Sequence, residues 1–197
     1  MDALAGFVLA AVALAGSPGP ATLSLTATGA AYGVHRGLAY LAGIVAGMVV
    51  VMAAVASGLV SLLLAVPGAG PLIAGAAAIY FLHLAWRIAT APPLQGGAQG
   101  RPPSFMAGVL LSLANPKGYA AMAALYSGFV LARGQLVMDI AAKMFLLTAV
   151  IIAVNVAWLL AGSALAGLFR EPRSSRAINV AFALLLVLSV AIAFLPL

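Results

Sequence analysis

The chain has 197 residues, of which 65% are hydrophobic and only 6% charged, with a formal net charge of +6 and no cysteine. Soluble domains carry about 25% charged residues, so this composition excludes a water-covered globule and makes the bilayer the solvent. The lack of cysteine excludes disulfides, thiol redox chemistry and thiolate metal sites, and bases scattered over segment ends, with no basic patch among aromatics, exclude a nucleic-acid partner.

Six apolar segments follow in chain order, at 3–30, 38–64, 71–90, 105–131, 144–168 and 177–196, near the length of about 20 residues that a spanning helix needs. The first holds "LAGSPGPATL", two prolines around a glycine in the middle of an oily run. "ALAG" has the small residues of a leader cleavage site. "MDAL", however, puts an acid where a leader carries a base, so 3–30 reads as a retained span. "AAYGVHRG" joins the first two segments and "VPGAGP" the next two. The long linker "ATAPPLQGGAQGRPPS" follows the third. It divides the chain into a first three-helix half, 1–95, a connecting stretch, 96–104, and a second half, 105–197. "REPRSSR" leads into the last segment.

Arg36, Arg87, Arg101, Arg170, Arg173 and Arg176 fall in the first, third and fifth loops, whereas Arg133 and Lys143 alone flank the second and fourth. The positive-inside rule then puts the odd loops in the cytoplasm and both termini in the periplasm. Each half opens with a proline-broken span, at Pro18 with Pro20 and at Pro116, and the halves enter the membrane from opposite sides. The predicted fold class is an all-α membrane protein of six transmembrane helices, built as two inverted three-helix repeats with the first and fourth helices broken near the midplane. Matched breaks of this kind mark midplane binding sites in transporters. A lone proline is equally a packing kink.

Ser17-Pro18 and Asn115-Pro116 both read as a helix cap followed by proline at the first helical position. Proline lacks an N–H and clashes with the carbonyl four residues back, so the carbonyls of Leu14, Gly16 and Ser112 are expected to lose their partners. The restarted helices aim amides and a positive dipole end at the membrane centre, where a carboxylate would fit. Lys117 sits about 18 Å along the fourth span at 1.5 Å per residue, too deep for its stem to reach a headgroup. No acid shares that depth, so its partner is either a freed carbonyl or the anionic group of a substrate. Asn155 lies at equivalent depth in the fifth span and is expected to bond across to the broken helices or to glue helices together. Thr22 and Thr26 share a face and either line a polar path or bond back to their own helix. The candidate substrate-binding residues are thus Ser17, Pro18, Gly19, Pro20, Thr22, Asn115, Pro116, Lys117 and Asn155.

Gly43 with Gly47, and Gly162 with Ala166 and Gly167, predict close helix packing within one protomer, with a homodimer left open. Asp139 and Lys143, spaced i, i+4, predict a surface ion pair. His35 and His83 lack a second ligand at metal spacing, so neither a metal nor a cofactor is expected.

"SPGP" in the first span and "NPK" in the fourth resemble the two signature motifs of the LysE/RhtB family of bacterial amino-acid exporters. "AAIYFLHLAWR" is similar to the family's third span, with Ala85 where a glycine is usual, and "INVAFALLLVLSVAIA" to its last. The resemblance covers nearly the whole chain and maps Pro18, Gly19 and Pro20 onto the first motif and Asn115, Pro116 and Lys117 onto the second. It implies six helices in the bacterial inner membrane and export of a small amino acid or amino-acid-like metabolite by alternating access; the buried Lys117 cation with no midplane acid adds the expectation that neutral substrates are preferred. Family members often carry aspartate where this chain has Asn155, which puts proton coupling at that position in doubt. The alternatives are an ion or metal exporter of a related branch, for which midplane carboxylate or histidine ligands are missing, and a non-transporting membrane subunit. An intramembrane enzyme would need acid pairs or a nucleophile with its base, which the apolar segments do not offer.

Overall fold

A computed structural model describes residues 3–90, 101–167 and 171–194. Asp2, Arg170 and the part of the linker at 91–100, including the boundary expected after residue 95, lie outside the described residues. All regular structure within them is helical: α1 (Ala3–Gly16), α2 (Pro20–Ala56), α3 (Leu59–Leu64), α4 (Ala69–Ala89), α5 (Phe105–Ala114), α6 (Pro116–Gly128), α7 (Leu136–Ala164) and α8 (Pro172–Phe194). Long apolar runs fold this way because a helix pairs its own backbone groups where no water can. α2, Ala69–Trp86 and α7 are each long and apolar enough to cross a membrane, and α1 and α5 are shorter apolar helices.

α2 is not one straight rod. Gly33 has φ 76° and ψ 170°, outside the helical region and open to glycine. Sixteen residues of continuous helix would hold Ser24 and Tyr40 about 24 Å apart, yet the Tyr40 hydroxyl donates to Ser24 Oγ at 3.0 Å. A Cβ built on Gly37 would also lie 3.4 Å from Thr28 Cγ2. The chain therefore doubles back at Gly33, and α2 is a hairpin with arms 20–32 and 34–56. The expected joint at "AAYGVHRG" is this single-residue reversal. A second interruption, at Ser57 and left-handed Gly58 (φ 74°), separates α3 from the second arm and was not expected.

Glycines set how closely the helices pack. A Cβ on Gly43 would collide with the Phe105 carbonyl, one on Gly108 with the Tyr40 carbonyl, and one on Gly47 would lie 2.7 Å from Ser112 Cβ. These contacts seat α5 against the second arm of α2, where Ser112 Oγ also donates to the Ile44 carbonyl at 2.9 Å. Gly29 meets the Leu159 carbonyl and Gly162 meets the Thr26 carbonyl in the same way, seating α7 against the first arm. Without a hydrophobic drive between helices in lipid, such close backbone approach supplies the packing energy. The prediction for Gly43, Gly47 and Gly162 holds within one protomer. For Gly167 it fails, because no atom lies within 4 Å of a Cβ built there.

Two apolar clusters result. One gathers Leu23, Leu25, Tyr40, Ile44, Leu111 and Leu159 with Phe81 of α4 and Leu186 of α8. The other gathers Phe7, Ala11, Met48, Met52, Met122, Leu125, Leu147 and Ile151. The two helix breaks lie at the border between these clusters.

A candidate substrate cleft between two broken helices

At the first break α1 ends at Gly16 and α2 begins at Pro20. The cap of the restarted helix is Gly19, in extended conformation, and not Ser17. Pro20 takes the first helical position, where its missing N–H costs nothing, and this moves the restart two residues beyond the expected point. Thr22 closes the new turn by accepting from the Gly19 amide at 2.9 Å and donating to the Gly19 carbonyl at 3.1 Å. Ser17 instead finishes α1, its hydroxyl donating to the Leu14 carbonyl at 2.9 Å.

The second break follows the expectation. Asn115 caps α6, its Oδ1 accepting from the Lys117 amide at 3.2 Å, with Pro116 first in the helix. The Asn115 amide donates to the Ser112 carbonyl at 3.2 Å. Trp158 of α7 donates its indole N–H to the Gly16 carbonyl at 3.2 Å. The three carbonyls expected to be orphaned, those of Leu14, Gly16 and Ser112, are therefore all bonded. An unpaired carbonyl in an apolar interior costs about 1–3 kcal/mol, which is why each is met, two by groups three residues on and that of Gly16 by the distant Trp158.

The two breaks meet through Lys117. Its ammonium donates to the carbonyls of Ser17 (2.5 Å) and Pro18 (3.2 Å), which lie 100 and 99 residues away in the chain. Gly19 makes room for this reach, since a Cβ there would lie 2.9 Å from Lys117 Cδ and 3.0 Å from its Nζ. Among the described residues no carboxylate lies within ion-pair distance of this ammonium.

A cleft of about 60 Å³ opens beside the junction. A space of about 10–15 Å³ on this measure holds one water, so several fit. Of the expected residues, Gly19, Pro20, Thr22, Asn115, Lys117 and Asn155 line it; Ser17, Pro18 and Pro116 do not. Ser17 and Pro18 act from behind it, through the carbonyls that hold Lys117. The remaining wall includes Ile44, Met48, Gly118, Met122 and Ile151, which sequence reasoning passed over because they look like any other core residue. Asn155 is 5% exposed. Contrary to expectation it bonds to neither broken helix; Trp158, one turn further along α7, makes that link. Its carboxamide faces the cleft without a protein partner among the described residues. Thr26, Ser24 and Thr28 bond back to the carbonyls of Thr22, Ala21 and Ser24, so no polar path leads away along this helix.

Lys143 offers a contrast. Its ammonium also holds helix-end carbonyls, those of Tyr126 (3.1 Å) and Phe129 (2.6 Å), but it additionally pairs with Asp139 at 2.6 Å. Asp139 and Lys143 are 7% and 2% exposed, so the expected surface pair is a buried one. The chain returning over 129–135 covers it, and Asp139 in turn accepts from the amides of Leu131 (2.5 Å) and Ala132 (3.0 Å). One interior ammonium is thus neutralised by the protein and the other, in the cleft, is not. His35 and His83 are exposed, and no group of three metal-binding side chains occurs among the described residues.

A sequence profile described as LysE type translocator matches residues 12–196. Proteins named cysteine/O-acetylserine efflux protein from Escherichia coli O157:H7, Escherichia coli strain K12 and Shigella flexneri are each 34% identical to the chain over 171 residues, covering 87% of both sequences. No solved structure matches.

Proposed function

Because the chain belongs to the LysE type translocator family, whose members move solutes and are not enzymes, we propose that it exports a small neutral amino acid held in the cleft between the two broken helices. The observation that carries this reading is the Lys117 ammonium, which lines the cleft with no carboxylate beside it among the described residues. A substrate carboxylate supplies the missing charge, and the start of α2, with its positive dipole end, lies next to it. The same ammonium repels the cationic side chains of lysine and arginine. Met48, Met122, Ile44 and Ile151 offer a polarizable, apolar wall to a short side chain, while Thr22, Asn115 and Asn155 offer polar contacts. The relatives' named substrates, cysteine and O-acetylserine, are small and neutral and satisfy both demands.

The carrier is read as six spans of the bacterial inner membrane in two inverted repeats, 1–95 and 105–197, with periplasmic termini and alternating access across the cleft. The packing supports the repeat. Spans one and five meet at Gly29 and Gly162, and spans two and four at Gly43 and Gly108. Exchanging the halves turns the first pair of spans into the second, and the third and sixth spans, α4 and α8, pack on each other. The test is export from loaded proteoliposomes of purified protein. O-acetylserine should leave faster than lysine or arginine. Export of lysine at an equal or greater rate would reject the electrostatic basis of the proposal.

A further inference from the structure

The Asp139–Lys143 pair is more than a brace by position. α6 lines the cleft with Lys117, Gly118, Ala121 and Met122, and α7 lines it with Ile151 and Asn155. Beyond that lining, the same two helices are pinned together: Lys143 of α7 holds the carbonyls of Tyr126 and Phe129 at the end of α6, and Asp139 holds the amides of Leu131 and Ala132 in the segment that follows. The side chains packed between the pin and the cleft include Leu125 and Leu147, and Phe7 makes an edge-to-face contact with Phe129 at 5.6 Å beside them.

We propose that the Asp139–Lys143 clamp is a proton-operated latch that closes this end of the cleft. Four interactions of the pinned segment converge on two charges: the carboxylate accepts two amides directly, and it neutralises the ammonium that holds two carbonyls. While ionised, Asp139 neutralises Lys143 and accepts two amides. A proton taken from solvent onto the carboxylate cancels the ion pair and leaves the ammonium, still bonded to two carbonyls, without a counter-charge among apolar side chains. That is a cost the clamp escapes by releasing α6 and letting water reach Lys143. Acid therefore favours the open end. The groups facing the carboxylate are few. Lys143 shares its helix. Tyr126 of α6 puts its ring 5.7 Å from the ammonium and buries a hydroxyl without a hydrogen-bond partner. Tyr119 packs on the same cluster, and Arg133 in the connecting segment is exposed. The described part of α1 and the second arm of α2 beyond Tyr40 bring no charged group to this end.

This proposal rests on the cleft as the transport site, but opening can be read without any solute. The chain has no cysteine, so Leu125→Cys places a single thiol at a side chain only 1% exposed beneath the clamp. Its maleimide labelling in detergent is measured against a second protein carrying the exposed Arg133→Cys, which removes the pH dependence of thiol reactivity. The normalised rate should rise only once pH falls below the ordinary carboxylate range, because the Lys143 ammonium and two amides hold the Asp139 carboxyl down. At neutral pH, Asp139→Asn should raise it by about a hundredfold or more, the shift expected when a buried ion pair loses one charge. Should Asp139→Asn not fold, the double variant Asp139→Asn/Lys143→Met, which leaves no buried charge, decides the matter: its labelling should be fast and independent of pH. Equal rates with and without Asp139, or a pH response that survives in the double variant, would overturn the latch. Failure of both variants to fold would do so too, because it would make the pair a structural brace.

Discussion

Replacing Gly162 by alanine adds one methyl group where α7 crosses the first arm of α2. That methyl would stand 2.7 Å from the carbonyl carbon and 2.8 Å from the Cα of Thr26 and would run into the carbonyl oxygen itself. Carbon–carbon contacts settle near 3.5–4.0 Å, so the helices must part locally by about 0.7–1.3 Å, the clash with the oxygen setting the upper end. Every obstructing atom is backbone, so no side-chain rotation relieves the contact. Overpacking a core costs about 1–3 kcal/mol, and a backbone clash belongs at the upper end. For a chain of this size about 3 kcal/mol lowers the melting temperature by roughly 6–12 °C. Gly75 of α4 is the control, since nothing lies within 4 Å of a Cβ there. Gly75→Ala should be neutral or up to about 1 kcal/mol stabilising, from helix propensity alone. Thermal unfolding of the two purified variants in one detergent checks both. A Gly162→Ala protein that melts no lower than Gly75→Ala would refute the argument that backbone contact seats these helices.

Three further expectations follow from the same contacts. Gly19→Ala is free of backbone strain, because its φ is −178°, but its methyl would push Lys117 off its carbonyls; export should fall at least about tenfold with a melting temperature changed by only a few degrees, as befits a flexible side chain giving way. Trp158→Phe leaves the Gly16 carbonyl without its donor and should cost about 1–3 kcal/mol of stability, read as a lower melting temperature. A reporter that works only in the cytoplasm, fused after Leu197, should be silent, and a strong signal would reverse the proposed orientation.

What the sequence made legible, and what it hid, divides along physical lines. Proline changes the backbone's own bonding capacity, so both breaks were readable from Pro18, Pro20 and Pro116. Which residue caps the first restart was not, because Ser17 and Gly19 both precede a proline and only the fold decides between them. The partners of the freed carbonyls were hidden for another reason: Trp158 lies 142 residues from Gly16 and Lys117 lies 100 from Ser17. The i, i+4 spacing of Asp139 and Lys143 is the same for an exposed pair and a buried one. What buries them is the return of the chain over 129–135, which no local pattern announces. Small residues told where helices approach closely but not how far the pattern runs, so Gly162 was read correctly and Gly167 was not.

The central claim is that the ammonium in the cleft, bonded to two carbonyls but to no carboxylate among the described residues, receives the substrate's carboxylate, and equilibrium binding to one variant tests it most directly. Lys117→Met keeps the apolar stem and removes the charge. The variant loses two hydrogen bonds to the carbonyls of Ser17 and Pro18 but also the cost of holding an ammonium away from water, and these oppose each other. The melting temperature should therefore move by only a few degrees. Binding of radiolabelled O-acetylserine to the purified protein should weaken by at least about a hundredfold, the loss expected when a charge-assisted bond worth about 3 kcal/mol is removed. Unchanged affinity in a folded Lys117→Met protein would contradict the account, leaving Lys117 as a tie between the broken helices and placing the substrate elsewhere.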